Sequence, residues 1–127
     1  MPVTDPIGDM LTRMRNAQHA RHDSCTFSWS TIKQSICELM KREGYLENVE
    51  VSGAKPKEMI TVTFVPGRTL TVKRESAPGR RRYLNTSQTK PVLSGFGMAI
   101  LSTSSGLLTD TEARAKKVGG EILCTVS

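Results

Sequence analysis

A chain of 127 residues, 37% hydrophobic and only 5% aromatic, is long enough for one domain or two small ones, with a core built mainly from aliphatic side chains. No apolar run approaches the roughly 20 residues of a membrane helix. The start of the chain has neither a signal peptide's layout nor an Arg/Ser-rich transit segment before Asp5, so the expectation is a soluble protein that stays where it is made. Cys25, Cys37 and Cys124 are unclustered and odd in number, which argues against a disulfide framework and for a reducing compartment. The net charge of +6 is unevenly spread. Residues 1–66 hold eight Lys/Arg against eight Asp/Glu, whereas residues 67–127 hold ten against four. The excess in the C-terminal part points to a polyanion partner, although a basic face serving only solubility has the same composition.

In chain order, Asp5 suits an N-cap and Pro6 the first helical position. Ile7, Met10, Leu11, Met14 and Ala17 then form one apolar stripe, with Thr12, Arg13, Arg15 and Asn16 on the other face. Asp9 and Arg13 are four apart and can pair. His19 to Ser24 reads as a loop, and Cys25 to Trp29 as a short strand. A second helix is predicted from Ser30, with Trp29 as a staple, Ile32, Ile36, Leu39 and Met40 buried, and Gly44 as its stop. Leu46–Val51, Met59–Val65 and Thr69–Lys73 follow as strands. Ile60, Val62 and Phe64 alternate with threonines, so one face of that sheet is buried.

Composition shifts at Glu75-Ser76-Ala77-Pro78-Gly79, a turn-rich linker. Arg80-Arg81-Arg82-Tyr83 and a polar loop through Lys90 come next. Met98–Leu101 reads as a buried strand, Ser102 to Gly106 as a turn, and Leu107 and Leu108 as a return to the core. A short helix opens on the capping box Thr109…Glu112 and closes at Gly119-Gly120, with Lys116 and Lys117 in its last turn. Glu121 to Val126 is a final strand. The predicted class is α+β in two small domains. Residues 1–74 form an N-terminal α-β-α-β-β domain; residues 75–127 form a mostly antiparallel β domain with one short helix.

Several groupings bear on chemistry. Ser102-Thr103-Ser104-Ser105 carries more hydroxyls than a tight turn needs, and hydroxyls and bare N–H groups bond phosphates, ribose and base edges. A plain Ser-rich loop is the alternative. Arg80, Arg81 and Arg82 beside Pro78-Gly79, with Lys73 and Arg74 across the turn, suit a phosphate clamp, and Tyr83 adds a ring for stacking. The competing reading packs these arginines or pairs them with Glu75. Glu121 can accept from a base amino group or pair with a local arginine. His19, His22 and Cys25 have zinc-ligand chemistry, but a fourth ligand would have to be distant Cys37 and the close pairing of structural sites is missing. Gly95-x-Gly97 lacks the third glycine of a dinucleotide fingerprint and precedes its strand. Ser102 to Gly106 lacks the first glycine of a nucleophile elbow.

Three blocks, in order, resemble one family. They are Asp5-Pro-Ile-Gly-Asp-Met-Leu-Thr-Arg-Met-Arg-Asn-Ala17, Ser76-Ala-Pro-Gly-Arg-Arg-Arg-Tyr83, and Ser102-Thr-Ser-Ser-Gly-Leu-Leu-Thr-Asp-Thr-Glu-Ala-Arg114 with Val118-Gly-Gly-Glu-Ile-Leu-Cys124. The whole chain resembles small-subunit ribosomal protein eight of bacterial type. That resemblance implies two α/β domains, no enzymatic activity, no cofactor, no metal, and no membrane or small-molecule partner. It implies direct binding to the central domain of small-subunit rRNA, a role in small-subunit assembly, and neighbouring ribosomal proteins as partners. A cytoplasmic place in a bacterial-type ribosome follows, with an organellar origin left open; repression of its own messenger RNA is a property of some members. Carried over, Ser102, Thr103, Ser104, Ser105 and Gly106 contact an RNA stem with Glu121 and Tyr83 nearby, and Pro78, Gly79, Arg80 and Arg81 lie beside them. Asp5, Thr12, Arg13 and Asn16 touch a second RNA region. The chain departs from many members at Thr31, where they have Lys, while Lys33 remains as a cation. It departs again at Ala77, where they have Lys, with Arg82 as partial compensation, and at Ser127, where an aromatic is frequent.

Overall fold

The computed structural model describes residues 5–76, 81, 83–84 and 97–127. It is α+β, as expected. The elements run α1 (Pro6–His19), β1 (Ser24–Ser28), α2 (Thr31–Arg42), β2 (Leu46–Ser52), β3 (Met59–Phe64), β4 (Val72–Arg74), β5 (Tyr83–Leu84), β6 (Met98–Thr103), β7 (Gly106–Thr109), α3 (Asp110–Lys116) and β8 (Gly120–Val126). The chain groups into two compact units, Asp9–Leu70 on one side and Met1–Gly8 with Thr71–Ser127 on the other.

In the Asp9–Leu70 unit the strands are antiparallel in the order β1-β3-β2. Alternation sends Cys25, Phe27, Ile60, Val62 and Phe64 to the buried face, and leaves Ser24, Thr26 and Ser28 exposed. Met10, Leu11 and Met14 of α1 and Ile36, Cys37, Leu39 and Met40 of α2 complete the core. Each such side chain contributes roughly 1.5–3 kcal/mol of transfer free energy. Cys37 Sγ lies 3.7 Å from Met10 Sδ. The α1 helix runs on through His19, where a loop was expected. Its last turn is anchored by Gln18, whose amide donates to Leu70 O at 2.9 Å and accepts from Leu70 N at 2.8 Å.

Ser30 caps α2 by accepting from Lys33 N. The buried stripe of α2 keeps the expected Ile36, Leu39 and Met40, but Lys33 and Cys37 join it and Ile32 leaves it. Lys33, Cys37 and Met40 are spaced four and three apart and share a face, which turns Ile32 outward to 38% exposure. Lys33 is therefore buried. Its ammonium donates to Ser28 Oγ at 2.9 Å and lies 5.8 Å from the Phe27 ring centre. Gly44 ends the helix at φ +84°, a left-handed conformation that glycine adopts without steric cost.

In the other unit, the described strands lie in the order β4-β8-β6-β7, with β5 also on β8, and every pairing is antiparallel. The strand expected at Thr69–Lys73 in the N-terminal sheet is thus Val72–Arg74, and it pairs with β8. Thr71 and Ser127 exchange two backbone hydrogen bonds that extend this pairing. Ala99, Leu101, Leu108, Ala113 and Ile122 form one apolar cluster with Val118 at its margin. α3 opens on the expected box: Thr109 accepts from Glu112 N and Glu112 accepts from Thr109 N, both at 3.1 Å. It closes earlier than the sequence suggested. Lys117 takes the left-handed position at φ 56°, because Val118 N bonds Ala113 O and turns its side chain back to the cluster. Gly119 and Gly120 are left to enter β8.

The β6–β8 register slips between Ile100 and Leu101, which leaves Leu123 as the extra residue of a bulge. Its carbonyl accepts from Arg74 Nη1 and from the backbone N of Glu75.

Candidate nucleic-acid interface

The Ser/Thr segment is not a loop between a strand and a helix. It is the tip of a hairpin. Ser102 and Thr103 end β6, Gly106 begins β7, and Thr103 pairs directly with Gly106, so only Ser104 and Ser105 turn the chain. Gly106 has φ +97°, which an L side chain rarely adopts, and this lets a tight Ser-Ser turn rejoin the strand. Within this tip the hydroxyls divide. Thr103 Oγ1 donates to Gly106 O at 2.8 Å and accepts from Ser105 N at 3.1 Å, so it holds the turn closed. Ser104 and Ser105 are exposed at the tip.

The strands beside the tip assemble a second feature. Ser102 is directly opposite Glu121 on β8, and Glu121 is directly opposite Tyr83 on β5. Directly paired residues of antiparallel strands project to the same face. Ser102, Glu121 and Tyr83, distant in sequence, therefore form one row across three strands. Tyr83 is 65% exposed. The Glu121 carboxylate accepts from Arg81 Nη1 at 3.0 Å, so the local arginine and the acid face the same place. The sheet tolerates this row only because Gly120 has no side chain. A Cβ there would sit 2.3 Å from Ser102 O and 2.9 Å from Thr103 Cγ2. Sequence reasoning used Gly120 only as a helix stop and missed this role; its place beside the Ser/Thr segment emerges only from the register.

Two cations, Arg74 from the expected clamp and Lys33 from the family resemblance to rRNA-binding members, have partners within the fold. Arg74, expected on the flank of the clamp, bonds both carboxylate oxygens of Asp5, at 3.1–3.3 Å, as well as Leu123 O. Its fork satisfies the bulge carbonyl, so it serves the fold. Lys33 is buried against Ser28 and Phe27 for the helical-phase reason given above. Lys73 lies 3.8 Å from Glu75 and is mostly exposed. Pro78, Gly79, Arg80 and Arg82 lie outside the described residues, as does Ala77.

Asp5 precedes α1 and holds Arg74. Thr12, Arg13, Arg15 and Asn16 are all exposed on α1. Asp9 accepts from Arg13 Nε at 2.9 Å, and this hydrogen bond pushes the guanidinium's pKa further up. Cys25 and Cys37 are buried, and no group of three His, Cys, Asp or Glu able to hold a metal occurs among the described residues. Burial pushes the Cys25 thiol pKa up, partly offset by Arg13, so this sulfur is a poor thiolate ligand.

A hydroxyl-tipped hairpin, a Ser–Glu–Tyr row and an arginine lie in the part of the chain that carries the excess positive charge, and such donors, acceptors and rings are of the kinds that hydrogen-bond and stack with RNA. The family model described as Ribosomal protein S8 matches residues 5–127. "Small ribosomal subunit protein uS8" of Dictyoglomus thermophilum is 48% identical over 130 residues, covering 99% of each chain. The proteins of the same name from Lysinibacillus sphaericus and Rubrobacter xylanophilus are each 47% identical over 131 residues, again covering 99% of each chain.

Proposed function

Since the chain belongs to the ribosomal protein S8 family, we propose that it is a structural constituent of the small ribosomal subunit that binds the central domain of small-subunit rRNA directly and supports assembly of the subunit. It is a structural protein and not an enzyme. The observation that carries the RNA reading is the cross-strand row Ser102–Glu121–Tyr83 beside the exposed Ser104-Ser105 tip. Bases in an RNA stem offer amino groups, carbonyls and faces; the row offers a hydroxyl, an acceptor-only carboxylate and an aromatic ring. Discrimination belongs to these groups, and bulk affinity to the cations around them.

A second contact on the same RNA falls to Thr12, Arg13 and Asn16 on α1, while the partners of the assembled particle are rRNA and neighbouring ribosomal proteins. No helix among the described residues is long and apolar enough to cross a membrane; the place proposed for the chain is on ribosomes in the cytoplasm. Repression of its own messenger RNA would use the same row, if that message carries a stem of matching shape.

The test is sedimentation of the tagged chain through a gradient of ribosomal subunits, followed by binding to an isolated central-domain stem. Recovery with small subunits and tighter binding to the stem than to a scrambled duplex of equal length is expected. Absence from the small-subunit fraction, or equal affinity for both RNAs, would overturn the proposal.

A further inference from the structure

Resting on the RNA-binding reading above, we propose that Arg81 acts on recognition through Glu121, as a positioning residue, and not as an independent phosphate contact. Arg81 Nη1 donates to Glu121 Oε1 at 3.0 Å. The Arg81 side chain is 56% exposed and that of Glu121 only 12% exposed, so the carboxylate is recessed and its guanidinium partner reaches solvent. Register puts Glu121 between Ser102 and Tyr83 on the row.

A carboxylate accepts hydrogen bonds and cannot donate them. At the centre of the row it selects a nucleobase edge that presents an amino group and rejects one that presents a carbonyl. The same charge repels a polyanion. Arg81 resolves that conflict: it cancels the charge of Glu121 toward the phosphates and fixes the carboxylate in one orientation through a charge-assisted bond. The pair is net neutral, so Arg81 adds no excess cation to the RNA surface while Glu121 is present.

This gives a distinctive coupling. Removing Arg81 alone uncovers an unpaired anion facing RNA, whereas removing it where Glu121 is already neutral uncovers nothing. The experiment is a double-mutant cycle of Arg81→Ala and Glu121→Gln, with Arg81→Lys as the conservative variant. Each is titrated with the central-domain stem and with a scrambled duplex at two salt concentrations, after its melting temperature is checked. Arg81→Ala is expected to cost about tenfold on the stem with Glu121 present and less than about twofold in the Glu121→Gln background. Arg81→Lys keeps the charge and recovers most of the loss. If Arg81→Ala instead costs the same in both backgrounds and on both RNAs, and lowers the salt slope by about 1, it is a phosphate contact and the inference is overturned. A wild-type chain that fails to prefer the stem removes the RNA-recognition reading itself, and this inference with it.

Discussion

Gly120→Ala tests whether the register of the β6–β8 pair builds the recognition row. An added Cβ would meet Ser102 O at 2.3 Å, where ordinary contact begins near 3.4 Å, so about 1 Å of separation has to be found. The obstructing atom is a backbone carbonyl of the neighbouring strand, which cannot rotate away as a side-chain end can. Moving β6 by about 1 Å stretches N–H···O bonds from about 2.9 Å to about 3.9 Å, beyond hydrogen-bonding range. Two ladder bonds near Thr103 and Ser102 are then lost, at about 0.5–1.5 kcal/mol each. The total, about 1–3 kcal/mol, agrees with the usual cost of overpacking. For a chain of this length that lowers the melting temperature by roughly 5–15 °C. The same movement separates Ser102 from Glu121, so stem affinity falls well below what the residual folded fraction explains, while affinity for a scrambled duplex is retained. Thermal unfolding followed by titration with both RNAs, below the variant's melting temperature, reads both effects. A melting temperature within 2 °C of wild type, together with unchanged stem affinity, would refute the reasoning about close approach.

Three further outcomes are expected. Ser104→Ala and Ser105→Ala leave the melting temperature nearly unchanged but weaken stem binding about tenfold, whereas Thr103→Ala also costs about 1 kcal/mol of stability because its hydroxyl closes the turn; melting curves of the three variants separate these roles. Lys33→Met leaves the salt slope of RNA binding unchanged, since the ammonium is bonded to Ser28 within the fold; a slope reduced by about 1 would return Lys33 to the RNA surface. Burial, with Arg74 opposing and Glu75 assisting, pushes the Cys124 thiol from its ordinary 9.0 up to about 12. The unfolded chain therefore loses this proton first, so the thiol's stabilisation is complete below pH 9 and declines as pH rises toward 12. The stability advantage of wild type over Cys124→Ala in urea titrations should shrink by at most about 1.4 kcal/mol per pH unit across that window, and a constant difference would show that burial does not hold the proton.

Much of this fold is legible in the residues. Met10, Leu11 and Met14 announce α1 by spacing alone, and Ile60, Val62 and Phe64 announce the buried face of β3. Thr109 and Glu112 fix the start of α3 through local bonds that any reader of the chain can anticipate. Failures occur where a distant segment decides. Lys33 sits in phase with Cys37 and Met40, but only the position of Ser28 on β1 makes its burial tolerable. Val72–Arg74 looks like a continuation of the preceding strands, yet its partner is β8, some fifty residues onward. Local chemistry also misleads at the hairpin. Four hydroxyls followed by glycine read as a turn from Ser102 to Gly106, although threonine also suits a strand and the turn requires only Ser104 and Ser105. The candidate site was visible as separate residues, Ser102, Tyr83 and Glu121; their alignment is a property of register, which composition does not encode.

The central claim is that the hairpin tip and its row face RNA. A photo-crosslinking residue in place of Ser105, in the full chain assembled into small subunits, tests it most directly. Irradiation followed by reverse transcription should map crosslinks to one stem of the central domain of small-subunit rRNA. Crosslinks from Ser105 to protein alone, or scattered over the rRNA without a preferred stem, would contradict the account.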